Sequence, residues 1–211
     1  MKPWLFDILA CPIDKHFPLK LYIFSYETTE NEFNQLLDVY ENRNLDTIKR
    51  EELIDISKHE DNFFIKDGIS IKKIPFSKYL NVVKTSLKEL DNLIDKTEIK
   101  PVIRCLKILT TQVIEKLSNL GEDKFSLNEI EEVLPELYLL NKFKLDTEID
   151  SGLLFCEECL RWFPILESIP QMLTDEYRNE EGDLQFLKNH KNLFDPKFFK
   201  QNLHPYNLKK K

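Results

Sequence analysis

The chain has 211 residues, 42% hydrophobic and 32% charged, which is the composition of a globular body and excludes a fibrous or disordered one. A net charge of −7 argues against a protein that grips a nucleic-acid backbone by itself, since phosphate binding needs a basic footprint and the only basic run is the tail Lys209-Lys210-Lys211. Four glycines cannot write a dinucleotide or P-loop fingerprint, and no apolar run approaches the roughly 20 residues of a membrane helix.

The opening MKPWLFDILACP places a Lys and an Asp in its apolar stretch and makes a poor secretory signal, so an intracellular, cytoplasmic chain is expected. Leu19, Leu21 and Ile23 alternate with Lys20 and Tyr22 and predict a strand. Thr29-x-x-Glu32 is a capping box, followed by Phe33, Leu36, Leu37 and Tyr40 at helical spacing. A short apolar run, Phe63-Phe64-Ile65, ends in the turn Asp67-Gly68. Ser77 is an N-cap candidate before one stripe through Leu80, Val83, Leu87, Leu90 and Ile94. Pro101 opens a helix with Val102, Leu106, Leu109, Val113, Leu117 and Leu120 on one face and Gly121 as its stop. Ser126-x-x-Glu129 is a second capping box ahead of Ile130, Val133 and Leu137, with Pro135 set to kink that helix. Phe143, Leu145, Thr147 and Ile149 alternate with polar residues and read as a strand. Gly152–Phe155 and Arg161–Ile165 then read as the arms of a hairpin.

That hairpin carries Cys156-Glu157-Glu158-Cys159 at its turn. In a zinc knuckle such a turn points two thiolates at one tetrahedral metal. Two more ligands are needed, and Cys11 sits in a Cys-Pro turn before the first strand. Asp14 stands where a second knuckle would put its other Cys, and His16 stands two residues further on. Imidazole suits zinc and reaches further than a carboxylate, so the expected set is Cys11, His16, Cys156 and Cys159, with Asp14 as the competing fourth ligand. Buried thiols without a metal are the plain alternative. A redox CxxC is disfavoured, because Leu-Arg-Trp-Phe-Pro-Ile after Cys159 does not start a helix that could lower a thiol pKa. Cys105 reads as helix core, and His59, His190 and His204 as solvated. No nucleophile–base pair stands out.

The expected fold class is α+β: a small zinc-ribbon-like β domain formed by both chain ends, with a helical insert. Residues 1–26 plus 143–173 make the β domain, 29–138 the insert and 175–211 a C-terminal extension.

The turn Leu9-Ala10-Cys11-Pro12, Phe17-Pro18-Leu19 and, above all, Gly152-Leu153-Leu154-Phe155-Cys156-x-x-Cys159-x-Arg161-x-Phe163-Pro164-Ile165-x-x-x-Ile169-Pro170-x-Met172-Leu173 resemble the zinc-ribbon methyltransferase-activator family. Ile74-Pro75-Phe76-Ser77-x-Tyr79-Leu80 is similar to the opening of a helix in the insert of its longer members. Where that family has a second N-terminal Cys ligand, this chain offers Asp14 or His16. The resemblance implies a non-catalytic subunit that activates SAM-dependent methyltransferases of tRNA, rRNA and release factors. It also implies heterodimers with the catalytic subunits, no membrane, and nucleic acid met only through the partner. Strand addition to the partner's sheet would supply main-chain hydrogen bonds. Trp162, Phe163, Pro164, Ile169, Pro170, Met172 and Leu173 are the expected contact residues. The alternative function is a zinc-ribbon interaction module of a transcription or ribosome-associated complex.

Overall fold

The computed structural model describes residues 1–60, 62–121 and 125–208, so the Lys209-Lys210-Lys211 tail lies outside the described residues. The strands are β1 (Lys20–Tyr26), β2 (Asp55–His59), β3 (Asn62–Lys66), β4 (Ile74–Pro75), β5 (Leu93–Asp95), β6 (Ile149–Phe155), β7 (Trp162–Leu166) and β8 (Ile169–Pro170). They form one sheet of order β5-β1-β6-β7-β8 and another of order β2-β3-β4, so the chain is α+β. Two compact units result. The first takes Met1–Glu27, Asn92–Thr97 and everything from Glu148 onward; the second takes Thr28–Asp91 and Glu98–Thr147.

In the first unit β6 is the spine. It runs antiparallel to β1, with Leu154 opposite Leu21, and antiparallel to β7, with Leu154 opposite Phe163. Side chains on a strand alternate between faces, and here both faces are apolar. Leu21, Ile23, Leu154, Phe163 and Ile165 enter one core, closed by Met1, Phe6, Cys11 and Cys156. Tyr22, Phe24, Leu153, Phe155 and Trp162 enter a second core with Phe186, Leu187, Phe194, Phe198 and Leu203. The stretch expected to be an extension is therefore the cover of the sheet's second face.

Buried polar links fasten that cover. Arg178 donates to the carbonyl of Trp162 at 2.8 Å and to Asp183 at 2.7 Å, and its guanidinium lies 4.7 Å from the Trp162 ring centre. The indole of Trp162 donates to the carbonyl of Tyr206 at 3.0 Å. Arg161 grips Asp175 through two nitrogens, a fork-to-carboxylate pairing stronger than a single bond.

The second unit is mainly helical. Both capping boxes form, Thr29 with Glu32 and Ser126 with Glu129, each satisfying donors that a helix start leaves open. Cys105 is fully buried, as expected for helix core. The helix Leu134–Leu145 is the unit's centre and buries Leu134, Leu137, Leu139, Leu140 and Phe143. Glu136 Oε1 takes Arg43 and Lys116 at 3.0 and 2.9 Å while its Oε2 is buried without a hydrogen-bond partner, and Asn141 donates to Asp67 at 2.7 Å.

Three expectations are corrected. Phe143 and Leu145 are helical, not strand, and β6 begins only at Ile149. A helix buried all round shows no polar face, so its last turn mimics alternation. Ile94 leaves the helix stripe, which ends at Glu89, and pairs in β5 with Tyr22 in parallel register. The insert also contains a small sheet, in which Ile65 on β3 lies between Ile56 on β2 and Ile74 on β4.

One glycine fixes how closely the strands approach. A Cβ at Gly152 would sit 2.6 Å from the carbonyl oxygen of Tyr22, which belongs to the neighbouring strand's backbone. Gly152→Ala is expected to destabilise the first unit by about 1–3 kcal/mol, the usual cost of overpacking. Both tryptophans, Trp4 and Trp162, lie in this unit, so urea unfolding followed by indole fluorescence reads it directly.

Candidate functional site

Two tight turns from opposite ends of the sequence meet at one point. Cys11, Asp14, Cys156 and Cys159 bring their ligand atoms within 4.8 Å of one another. The turns are built alike. The backbone N–H of Cys11 donates to the carbonyl of His16 at 3.0 Å, and that of Cys156 to the carbonyl of Arg161 at 2.8 Å, five residues on in each case. The N–H groups of Ile13 and Asp14 point at the Cys11 sulfur, and those of Glu158 and Cys159 at the Cys156 sulfur. After the fourth position each chain turns through a left-handed residue, Lys15 at φ 62° and Leu160 at φ 56°.

This equivalence decides the fourth position. Asp14 occupies in the first knuckle the place that Cys159 occupies in the second. His16 occupies the place of Arg161, where the backbone closes the turn. Of the two expected alternatives for the fourth ligand, the cluster contains Asp14 and not His16. The His16 ring lies outside the cluster, and its backbone N–H donates to Asp14 Oδ1 at 3.0 Å, which orients the carboxylate.

The donor set has the composition of a structural zinc site, three thiols and one carboxylate. With Zn–S near 2.3 Å and Zn–O near 2.0 Å, tetrahedral angles put sulfurs about 3.8 Å apart and a sulfur about 3.5 Å from an oxygen. Cys11 and Cys159 sulfurs stand 3.6 Å apart, and the Cys156 sulfur stands 3.4 and 3.7 Å from the two Asp14 oxygens. These separations match a tetrahedral zinc set, and all four ligand atoms lie within 4.8 Å of one another. Burial pushes the Cys11 thiol up and the Cys156 thiol to about 12, so a metal must displace protons there. Asp14 runs the other way: the His16 N–H holds its carboxyl well below the usual carboxylate range, so it is ready as an anionic ligand.

The sequence profile of the Trm112p-like protein family matches residues 2–168. The chain belongs to that family. Its members are small zinc-ribbon activators of methyltransferases. No curated protein matches the chain in a direct sequence search. The match ends before the aromatic cover of the sheet's second face, which is this chain's own addition to the match.

The expected contact residues divide into two groups. Trp162, Phe163 and Pro164 are buried, and their expected role as surface anchors is corrected. The physical reason is that β7 is an internal strand with a core on each face. Pro164 is tolerated there because its carbonyl is the group used, accepting from Gln171 N–H at 2.8 Å. Ile169 and Leu173 remain open, 61% and 41% exposed, at the edge strand β8 and just beyond it. Pro170 and Met172 are half-buried, Met172 against the knuckle-side core. Missed from the sequence were the exposed Trp4, Ile8, Ile13 and Phe17 of the N-terminal segment. Their apolar run was visible, but nothing in it tells outward from inward residues.

With zinc as the probe and a chromophoric chelator as competitor, Asp14→Ala is expected to weaken zinc binding by on the order of 100-fold, and His16→Ala by less than 10-fold because its backbone N–H survives. Zinc affinity should fall as pH falls, because the raised thiols bind protons more tightly, while Asp14 stays ionised and adds no protonation cost.

Proposed function

We propose that the chain is a non-catalytic activating subunit of SAM-dependent methyltransferases that modify tRNA, rRNA or translation factors. It works as a heterodimer with each catalytic subunit in the cytoplasm. Zinc held by Cys11, Asp14, Cys156 and Cys159 would be its structural cofactor. Such an ion neutralises the converging thiolates and ties the two turns together; the rest of the work falls to this chain's own surface.

The observation that carries the reading is the family match over 2–168 together with an open apolar sheet edge. Leu166, Ile169 and Leu173 are exposed around β8, a two-residue strand that ends the sheet. Pro170 has no N–H, and those of Gln171, Met172 and Leu173 are bonded within the chain, so this edge would meet a partner through its carbonyls and side chains. Exposed branched side chains beside it supply buried area on docking. No helix among the described residues is long and apolar enough to cross a membrane.

The test separates surface from core. Ile169→Asp with Leu173→Asp should leave the isolated chain's unfolding midpoint within experimental error. The same double variant should cut co-purification of a methyltransferase catalytic subunit by about 30-fold or more, the scale of an interface hot spot. Normal capture by a folded double variant would place the interface elsewhere.

A further inference from the structure

The net charge of −7 hides a reversal at the end of the chain. From Lys188 onward there are seven lysines against a single acidic residue, Asp195, a net of +6, which leaves −13 for residues 1–187. Four of the seven lysines lie in the segment that covers the second face of the sheet, and the other three are the Lys209-Lys210-Lys211 tail outside the described residues. Four of these lysines, Lys188, Lys191, Lys197 and Lys200, are exposed, and none makes an ion pair among the described residues.

The same segment is grooved. One groove of about 720 Å³ is lined by Phe194, Pro196, Phe199 and Leu208, with Lys191 and Lys200 among its polar residues. A second, of about 580 Å³, continues from it, sharing Lys191, Asn207 and Leu208 and adding Lys188 and Tyr206; Glu180 is its one acidic lining residue. Phe194 is buried and stacked on Phe198, which leaves the half-buried Phe199 and Tyr206 as the rings that can meet a base, with lysines around them for phosphates, the pattern that tracks a single-stranded nucleic acid. Asn207 lines both grooves, and its amide NH₂ is committed to the carbonyl of Gln201 at 2.8 Å. Its side-chain oxygen is buried and accepts nothing. The cost of that unpaired acceptor falls on the groove wall, where the Asn207 side chain joins the two grooves.

We propose that the groove beside Phe199 and Tyr206, rimmed by Lys188, Lys191 and Lys200, is a contact site for a single-stranded segment of RNA. The catalytic subunit would hold the reacting nucleotide, and this chain would hold a flanking stretch of the same strand. The choice of RNA rests on the methyltransferase-activator reading; the groove, its charge and its orphaned acceptor do not.

Fluorescence anisotropy with a labelled 12-nucleotide single-stranded RNA tests this on the full, zinc-loaded chain. Lys191→Glu with Lys200→Glu should weaken binding at least tenfold and reduce the slope of log affinity against log salt by about 1.4, the value for two phosphate contacts on a single strand. Phe199→Ala should weaken binding at least fivefold without changing the slope, as expected for loss of one stacked base. The control pair Lys78→Glu and Lys88→Glu makes the same charge change on exposed positions of the other unit and should cost less than threefold. The proposal is overturned if the control pair is as damaging as the groove pair. It is equally overturned if a folded groove pair binds normally, or if heparin or phosphatidylserine vesicles bind as tightly as RNA through the same lysines. Methyltransferase capture should survive the groove variants. Its loss in Ile169→Asp with Leu173→Asp, with RNA binding intact, separates the two readings; a failure of capture altogether would remove the activator reading and leave the RNA result standing.

Discussion

Everything in the first unit depends on a meeting between Cys11 and Cys159, whose sulfurs stand 3.6 Å apart across 148 residues of sequence. Closing so long a loop has an entropic cost that grows only slowly with its length, so a compact second unit can occupy the interval without forbidding the contact. What the meeting requires is a strong local attraction, which three sulfurs with one carboxylate would supply around a divalent ion. Structural zinc contributes on the order of 10–16 kcal/mol of apparent binding free energy, which is folding free energy where the site does not exist in the unfolded chain. The strands beside the knuckles carry the closure into the sheet. β1 leaves the first knuckle, and β6 and β7 flank the second, so pairing β1 with β6 brings the two knuckles together.

A sheet with two apolar faces needs two covers. The knuckle side is closed by the N-terminal turn, through Met1 and Phe6. The other side is closed by Phe186, Phe194, Phe198 and Leu203, beyond the last residue of the family match. This second cover removes Trp162 from the surface and leaves the β8 edge with the open apolar residues Leu166, Ile169 and Leu173. It also brings a basic exterior to an acidic protein.

Much of this was legible in the residues. The alternation of Leu19, Leu21 and Ile23, both capping boxes and the CxxC hairpin turn each obey a local rule, and each formed. What failed was non-local. Leu93–Asp95 is a strand only because β1 lies alongside it. Phe143 and Leu145 are helical because their helix is buried all round, so the polar face that announces a helix is missing. Ligand chemistry favoured His16, whereas the turn geometry selects Asp14. The matching hydrogen bonds at Cys11 and Cys156 were the deciding signal, and the equal spacing of Cys11–Asp14 and Cys156–Cys159 was its trace in the sequence. The basic groove was missed because net charge averages over the chain.

X-ray absorption at the zinc edge, on protein purified without chelator, tests the central claim most directly. The account predicts zinc with three sulfur neighbours near 2.3 Å and one oxygen near 2.0 Å. An imidazole signature in place of the oxygen would return the fourth position to His16 and contradict the equivalence of the two knuckles. Protein without zinc would contradict the metal closure itself.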